Sequence, residues 1–190
     1  MTGVITNQGM LDADAYVVAL GSEAARVLRP LGIDLPIYPV KGYSVTVDIE
    51  EGTPAPRSSV MDEHSKIMMT RLGDRLRAAG LAEISGYDAS IRPSGPATVL
   101  HSLREFFRAR RRPRHRSRGC SRGVNAWTGL RPMTPDGPPY LGATKFTNVF
   151  LNLGQGSNGW TQACGCGRVV ADIVSGRRPD IDLDGLGVDR

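Results

Sequence analysis

The sequence predicts an α+β fold, on three observations. Residues 37–85 break into short stretches of alternating apolar and polar side chains between Gly and Asp turns, the pattern of a mostly antiparallel sheet with one face on a core. Residues 148–174 run as an apolar strand, a glycine loop and a helix, a layer of a different kind. An apolar content of 40% with 23% charged residues fits a soluble globular chain, and no run of 18 apolar residues offers a membrane span.

Taken in order, residues 3–6 and 15–20 (AYVVAL) read as strands, the first linked as a hairpin through Asn7-Gln8-Gly9. Ser22 is placed to cap a helix, SEAARVLRPLG, with Glu23 in its first turn and Gly32 beyond its end. In residues 37–49, Tyr43, Val45, Val47 and Ile49 alternate with Ser44, Thr46 and Asp48, which predicts a half-buried strand. Residues 59–62, 66–72 and 75–79 supply further short strands, with Gly73-Asp74 as a hairpin turn, and another at 81–85 ends at Gly86. Residues 94–107 begin a helix, with Val99, Leu100, Leu103, Phe106 and Phe107 near helical spacing.

The pattern then breaks. Residues 104–122 hold nine arginines against one glutamate, so a chain of net charge +5 is slightly acidic everywhere else. The stretch RARRRPRHRSRGCSRG has no usable period, and residues 104–126 are expected to be disordered or a solvated loop. Three readings stay open: a loop that binds nucleic acid or an anionic membrane by counterion release, a loop without a role, or a reading frame that slipped in a GC-rich gene. Reading the DNA in the other two frames separates the third from the rest. A nucleic-acid partner is not expected, because one short tract accounts for the whole positive balance.

The last third carries the chemistry. In residues 127–145 a turn-rich segment holds Arg131 between Gly129 and the Pro135-Asp136-Gly137-Pro138 turn, with Pro132 restricting its backbone. A planar guanidinium there can grip a carboxylate with two parallel hydrogen bonds, or pair with a structural carboxylate such as Asp136. Residues 148–153 (NVFLNL) predict a buried strand, and residues 160–174 a helix with Ala163, Val169, Val170, Ile173 and Val174 as its apolar positions. Gly176 stands at the helix stop, with Arg177 and Arg178 near the negative end of the dipole. Between strand and helix, Gly154, Gly156 and Gly159 spell G-x-G-x-x-G. A dinucleotide fingerprint requires a second strand carrying an acidic residue about 20 positions on, and Asp180 and Asp182 stand on no apolar strand. The loop can serve a pyrophosphate, a tight strand-to-helix turn, or another electron-rich group facing the helix N-terminus. Cys164 and Cys166 lie about 200° apart on a helix, unsuited to chelation or a disulfide, and read as small residues buried under it. No metal site is expected, and His64, His101 and His115 form no catalytic constellation.

The stretches GLRPMTPDGPPYLG, NVFLNLGQGSNGWT and ACGCGRVVADIVSGRRPDID resemble the C-terminal part of the flavin-dependent D-amino acid dehydrogenases, within the superfamily of D-amino acid and glycine oxidases. ADAYVVALGS, LPIYPVKGYSVTV and TRLGDRLRAAGLAEISGYD resemble the same family in the same order, so the likeness covers most of residues 4–100 and 126–183. It implies an incomplete FAD-binding, Rossmann-like half joined to the antiparallel substrate-domain sheet. The division is 1–35 and 127–190 for the FAD-binding part, 36–103 for the substrate sheet and 104–126 for the basic segment.

The resemblance also implies roles. Arg131 would hold the amino acid carboxylate, and Tyr43, Arg71 and Tyr87 are candidates to line the substrate pocket. Ala19, Gly21 and Ser22 would pass close to the cofactor. The loop Gly154, Gln155, Gly156, Ser157, Asn158, Gly159, Trp160 and Thr161 would pack beside the flavin ring, with the helix N-terminus aimed at its N1 and C2-carbonyl edge. Gln155 stands where many members carry a histidine, which bears on flavin tuning. The implied reaction is hydride transfer from the α-carbon of a D-amino acid to FAD, giving an imino acid that water hydrolyses to the 2-oxo acid and ammonia, in amino acid catabolism. A glycine or sarcosine oxidase relative is the alternative enzyme, and a non-catalytic fragment or a basic binding module the alternative from another class. The implied electron acceptor is a quinone or respiratory-chain component. The chain is expected to be cytoplasmic, with peripheral association at the inner membrane face as a further expectation. Family members begin with a strand and a true nucleotide fingerprint, which these residues lack before Gly154. An N-terminal half is therefore expected as a missing partner, without which this chain is not expected to hold FAD.

Overall fold

A computed structural model of the chain describes residues 1–49, 55–108 and 123–190. Residues 109–122, on which the three readings of the arginine tract turn, lie outside the described residues. The chain divides into two compact units, Met1–Pro39 with Arg131–Arg190, and Val40–Leu130.

The first unit is built on a three-stranded sheet. Strand β1 (Val4–Thr6) turns at Asn7-Gln8 into β2 (Gly9–Leu11), and the two form a separate antiparallel hairpin. The expected hairpin is thus present, but its second strand is Gly9–Leu11 and not the 15–20 stretch. Strand β3 (Tyr16–Val18) instead pairs parallel with β10 (Val149–Leu153), which pairs antiparallel with β9 (Tyr140–Ala143) on its other side. Between β3 and Ile33 lie a short 3-10 turn, helix α1 (Ala24–Leu28) and a second 3-10 turn, ended by Gly32 at φ 69°. Ser22 does not cap this helix: it lies buried inside the first turn, and no side chain caps either segment. Both faces of the sheet are covered, because successive strand residues alternate. Tyr140, Leu151 and Leu153 pack with Ala24, Leu28, Ile33, Leu35 and Ile37, while Leu141 packs with Cys166, Val169 and Val170 of helix α3 (Gly159–Val174). Ala163 is exposed, and of the two helix cysteines only Cys166 is buried; Cys164 faces solvent, as a separation of about 200° requires. Gly176, at φ 68°, ends α3 as expected and lets the Arg177 N–H reach the Asp172 carbonyl at 2.8 Å.

The second unit is a five-stranded sheet ordered β5 (Val60–Asp62), β6 (Ile67–Leu72), β7 (Arg75–Ile84), β4 (Tyr38–Asp48), β8 (Asn125–Met133), with helix α2 (Ser94–Arg108) on one face. The β5–β6, β6–β7 and β4–β7 pairs are antiparallel, as the alternation predicts. Tyr43, Val45 and Val47 of β4 meet Ile67, Met69, Leu76 and Ala78 from the sheet and Val99 and Leu103 from α2. Each Val, Leu, Ile or Met side chain among them contributes about 1.5–3 kcal/mol by leaving water. The stretches 75–79 and 81–85 are one strand: Tyr43 pairs Gly80 but Lys41 pairs Glu83, so β7 carries one extra residue, a bulge at Leu81 with φ 63°. The expected irregular segment is also shorter at both ends, since residues 104–108 continue α2 and 125–126 begin β8. The apolar period explains the first extension, because Leu103 is buried and Phe107 packs beside it.

Candidate functional site

In the first unit, the parallel pairing of β3 and β10 sends both carboxyl ends toward the same edge of the sheet. With Val18 opposite Leu151, the turn holding Ala19, Gly21 and Ser22 leaves that edge beside the loop of residues 154–159. Parallel neighbours that turn out at one edge are where open α/β layers bind ligands.

The loop's glycines differ in kind. Gly154 has φ 81°, and a Cβ on it would come within 2.8 Å of the Thr134 methyl. Gly156 has φ 58°, and its Cβ would meet Met133 Sδ at 3.0 Å. Both are required by the chain's own turn. At Gly159 the nearest atom to a Cβ is Gln155 Cβ at 3.6 Å, an ordinary contact, so nothing among the described residues demands the third glycine. The helix N-terminus beyond it is open: Asn158 supplies no side-chain cap, and Ser157, Asn158, Trp160 and Thr161 are exposed. One turn on, Gln162 Oε1 is buried without a hydrogen-bond partner among the described residues. Gln155 Nε2 donates to Asn152 Oδ1 at 2.6 Å, which ties the loop to β10.

Arg131 belongs to strand β8 and not to the turn expected around it; the strand runs on through Pro132 to Met133. The Gly156 N–H donates to the Pro132 carbonyl at 3.0 Å, which fixes the Arg131 end of the strand against the glycine loop. Arg131 is half-buried, and desolvation pulls its guanidinium pKa down, though an arginine remains cationic at neutral pH. Asp136 pairs with Arg190 at 3.3 Å. Arg190 was not legible as a site residue, yet it also donates to the carbonyls of Pro138 (2.6 Å), Pro139 (3.0 Å) and Gly185 (2.7 Å) and stacks 3.8 Å above the Tyr140 ring. Thr134 closes the turn from inside, donating to the Pro138 carbonyl and accepting from the Gly137 N–H.

In the second unit the substrate-pocket candidates separate. Arg71 is exposed at the β6–β7 turn, its Nε–H donating to the Gly73 carbonyl, and by register it lies level with Leu76 and Val47, four residues along from Tyr43. Tyr43 is 2% exposed and donates its hydroxyl to Glu83 Oε2 at 2.6 Å; Tyr87 lies in the turn after β7, more exposed. Around Tyr43 is a cluster that the sequence reading missed. Lys41, fully buried, meets Glu83 at 3.2 Å and Asp88 at 3.5 Å and donates to the Ser90 carbonyl, while Arg92 pairs with Glu83 at 3.1 Å and Asp88 at 3.4 Å. Burial alone would lower the Lys41 pKa, but its bonds to Glu83 and Tyr43 and the charge of Asp88 raise it above its ordinary value. Glu83 is held low, first by the Tyr43 hydroxyl, and Asp88 is held well below the usual carboxylate range, first by Ser90. The signal was available: 41 falls in the same odd-numbered phase as the buried 43, 45 and 47.

Among the described residues, no group of three His, Cys, Asp or Glu is placed to hold a metal ion, and no helix is long and apolar enough to cross a membrane.

Comparison with known proteins bears on this arrangement. A family model described as FAD dependent oxidoreductase matches residues 1–173. A D-amino acid dehydrogenase of Bradyrhizobium diazoefficiens is 51% identical over 190 residues, all of this chain and 43% of that protein. One of Rhizorhabdus wittichii is 50% identical over 187 residues, again 43% of its length. Among solved structures, a glycine oxidase from Geobacillus kaustophilus superposes with a TM-score of 0.81 at 27% identity, covering 98% of this chain and 48% of that one. The chain thus spans less than half the length of the curated relatives it matches.

Proposed function

The chain belongs to the FAD dependent oxidoreductase family, and from that premise we propose that its site serves the oxidation of D-amino acids to 2-oxo acids and ammonia in the complete protein. The observation that carries the reading is the Gly156-to-Pro132 hydrogen bond, which sets a half-buried arginine beside a glycine loop and an uncapped helix N-terminus. The residues present suit a flavin. Gly159 leaves the first-turn N–H groups of α3 open to close approach, and Gln162 Oε1, buried without a partner among the described residues, suits an outside donor.

FAD, when bound, supplies the two-electron acceptor for the hydride of the substrate α-carbon. The chain's own work is orientation. Arg131 grips the substrate carboxylate through paired N–H donors, fixing the α-carbon in position as well as adding affinity. The α3 N-terminus, with the N–H groups of Gly159, Trp160 and Thr161, would favour negative charge on a flavin held there. Ala19, Gly21 and Ser22, in the turn that follows the parallel neighbour strand, are further residues that would hold the cofactor. No histidine or carboxylate of this chain is assigned a proton-transfer role, and the imino acid leaves to be hydrolysed by water. Tyr43 is assigned to the structure of the sheet, and Arg71 and the exposed Tyr87 are kept as substrate-facing candidates of the second unit. The acceptor that reoxidises the cofactor is a quinone of the cytoplasmic membrane face, in amino acid catabolism; an oxygen-using glycine or sarcosine oxidase is the competing activity.

The test uses this chain together with the part of the Bradyrhizobium relative that lies outside the match. The visible spectrum of the FAD-loaded assembly is recorded before and after a D-amino acid is added under nitrogen. Bleaching by D-alanine but not glycine, lost in Arg131→Ala, is the expected result. A flavin that stays oxidised with D-amino acids yet bleaches with glycine would overturn it.

A further inference from the structure

We propose that the second unit carries a carboxylate-binding site of its own, built on Arg77 and suited to a small monocarboxylate such as an amino acid or a 2-oxo acid. It lies wholly within that unit and does not depend on the role given to Arg131. Helix α2 covers one face of the five-stranded sheet, where Tyr43, Val45, Val47, Leu76 and Ala78 are buried. Alternation sends Ser44, Thr46 and Arg77 to the opposite face. Arg77 stands directly across from Thr46 in the β4–β7 register. Its Nε–H donates to Ser44 Oγ at 3.0 Å, and Ser44 is only 3% exposed. The guanidinium thus reaches over β4 and lies above the Trp127 ring of β8, 5.5 Å from its centroid.

These contacts hold the cation in place without neutralising it. A partly buried charge ordinarily finds a countercharge, as Lys41 and Arg92 do with Glu83 and Asp88. Arg77, half-buried, pairs with no carboxylate among the described residues. The Thr46 hydroxyl beside it likewise has no hydrogen-bond partner among them. The indole is itself fixed: a Cβ at Gly129 would lie 2.5 Å from Trp127 Cη2, so glycine there lets the ring lie along its own strand. Ser44 takes the Nε side of the fork and the indole backs its face, which leaves the two Nη groups to a ligand. That end of a guanidinium offers parallel N–H donors at the spacing of carboxylate oxygens. One fixed cation matches one negative charge, and a side chain restrained beforehand loses little freedom on binding.

The test titrates the intact chain, carrying Trp160→Phe so that Trp127 is its one indole, with sodium acetate, pyruvate and D-alanine. Sodium chloride keeps the ionic strength constant. Trp127 emission and saturation transfer to the ligand methyl protons should both saturate and give one dissociation constant. By the methyl signal, Arg77→Met should weaken binding at least tenfold. Arg77→Lys, which keeps the charge without the fork, should do the same, and Thr46→Val should weaken it severalfold. Circular dichroism should be unchanged in each. Arg75→Met, an exposed arginine two residues along the same strand face, and Arg131→Ala should leave the constant where it was. A response that chloride reproduces, tighter binding of inorganic phosphate than of acetate, or equal loss in Arg75→Met overturns the proposal. Loss in Arg131→Ala overturns it too, by assigning the carboxylate to Arg131. Where the Arg77 variants fail to fold, an unchanged constant in Thr46→Val is enough to overturn it. No flavin enters the measurement, so failure of the enzymatic reading leaves this result standing.

Discussion

Gly154 and Gly159 occupy the same sequence pattern for different reasons, and substitution separates them. At Gly154 alanine meets both a left-handed backbone and the Thr134 methyl, so Gly154→Ala should cost about 1–3 kcal/mol in urea unfolding of the first unit. At Gly159 alanine meets only ordinary contact, so Gly159→Ala should be neutral or stabilise by up to about 1 kcal/mol while weakening flavin retention in the assembled protein. Arg131→Lys keeps the charge but loses the planar fork. Steady-state kinetics of the assembled enzyme should show KM for a D-amino acid raised at least tenfold, the equivalent of about 1.4 kcal/mol, with a smaller change in kcat. The glycine pattern was legible in sequence; which glycine serves the fold and which leaves room for a ligand was not, since that depends on Thr134 and Met133 arriving from another strand. Lys41 was overlooked for a related reason: a charged residue in a buried phase becomes intelligible only when Glu83, Asp88 and Arg92 come to meet it.

At the scale of elements, α2 is tied to β5 through a carboxylate as well as to the sheet by apolar contact, and β4 is tied to β7 by the Lys41–Glu83 ion pair. Ser102 of α2 donates to Asp62 Oδ2 at 2.7 Å, and Ser65 donates to the same carboxylate, whose pKa falls to about 2, chiefly through these two hydroxyls. Asp62, Glu83 and Asp88 all titrate below their ordinary values when folded. Their contributions are therefore complete above the ordinary carboxylate range and are lost as pH falls through the folded values. Lys41 has the opposite sign: raised above 10.5 in the fold, it contributes fully below that value and is lost as pH climbs through the folded pKa. Hydrogen exchange of the second unit should thus be protected evenly between about pH 5 and 10, and lose protection at both ends. Asp62→Asn should flatten the acid limb and free the α2 amides first. Lys41→Met should lower the urea midpoint more than Arg92→Gln, because the Arg92 side chain is 57% exposed while Lys41 leaves Glu83 and Asp88 facing each other without it. The strands of this sheet were legible from period alone. The bulge at Leu81 was not, because one extra residue in β7 shows only against the register of β4.

At the scale of the whole molecule, the described residues give each unit its own buried clusters. Buried residues of the second unit form one cluster, Tyr43 to Leu103, and those of the first unit form two others on the faces of its small sheet. This split follows from the chain path, which leaves the first unit at Pro39 and returns at Arg131, a long-range closure that no local pattern announces. Unfolding should accordingly proceed in two transitions by site-resolved hydrogen exchange in urea. Val45→Ala, in the second unit, should lower one midpoint, and Leu151→Ala, in the first, the other, by about 2–4 kcal/mol for the leucine and somewhat less for the valine. If either substitution moves both midpoints by the same amount, the two units unfold as one, and their cores are not independent in energy.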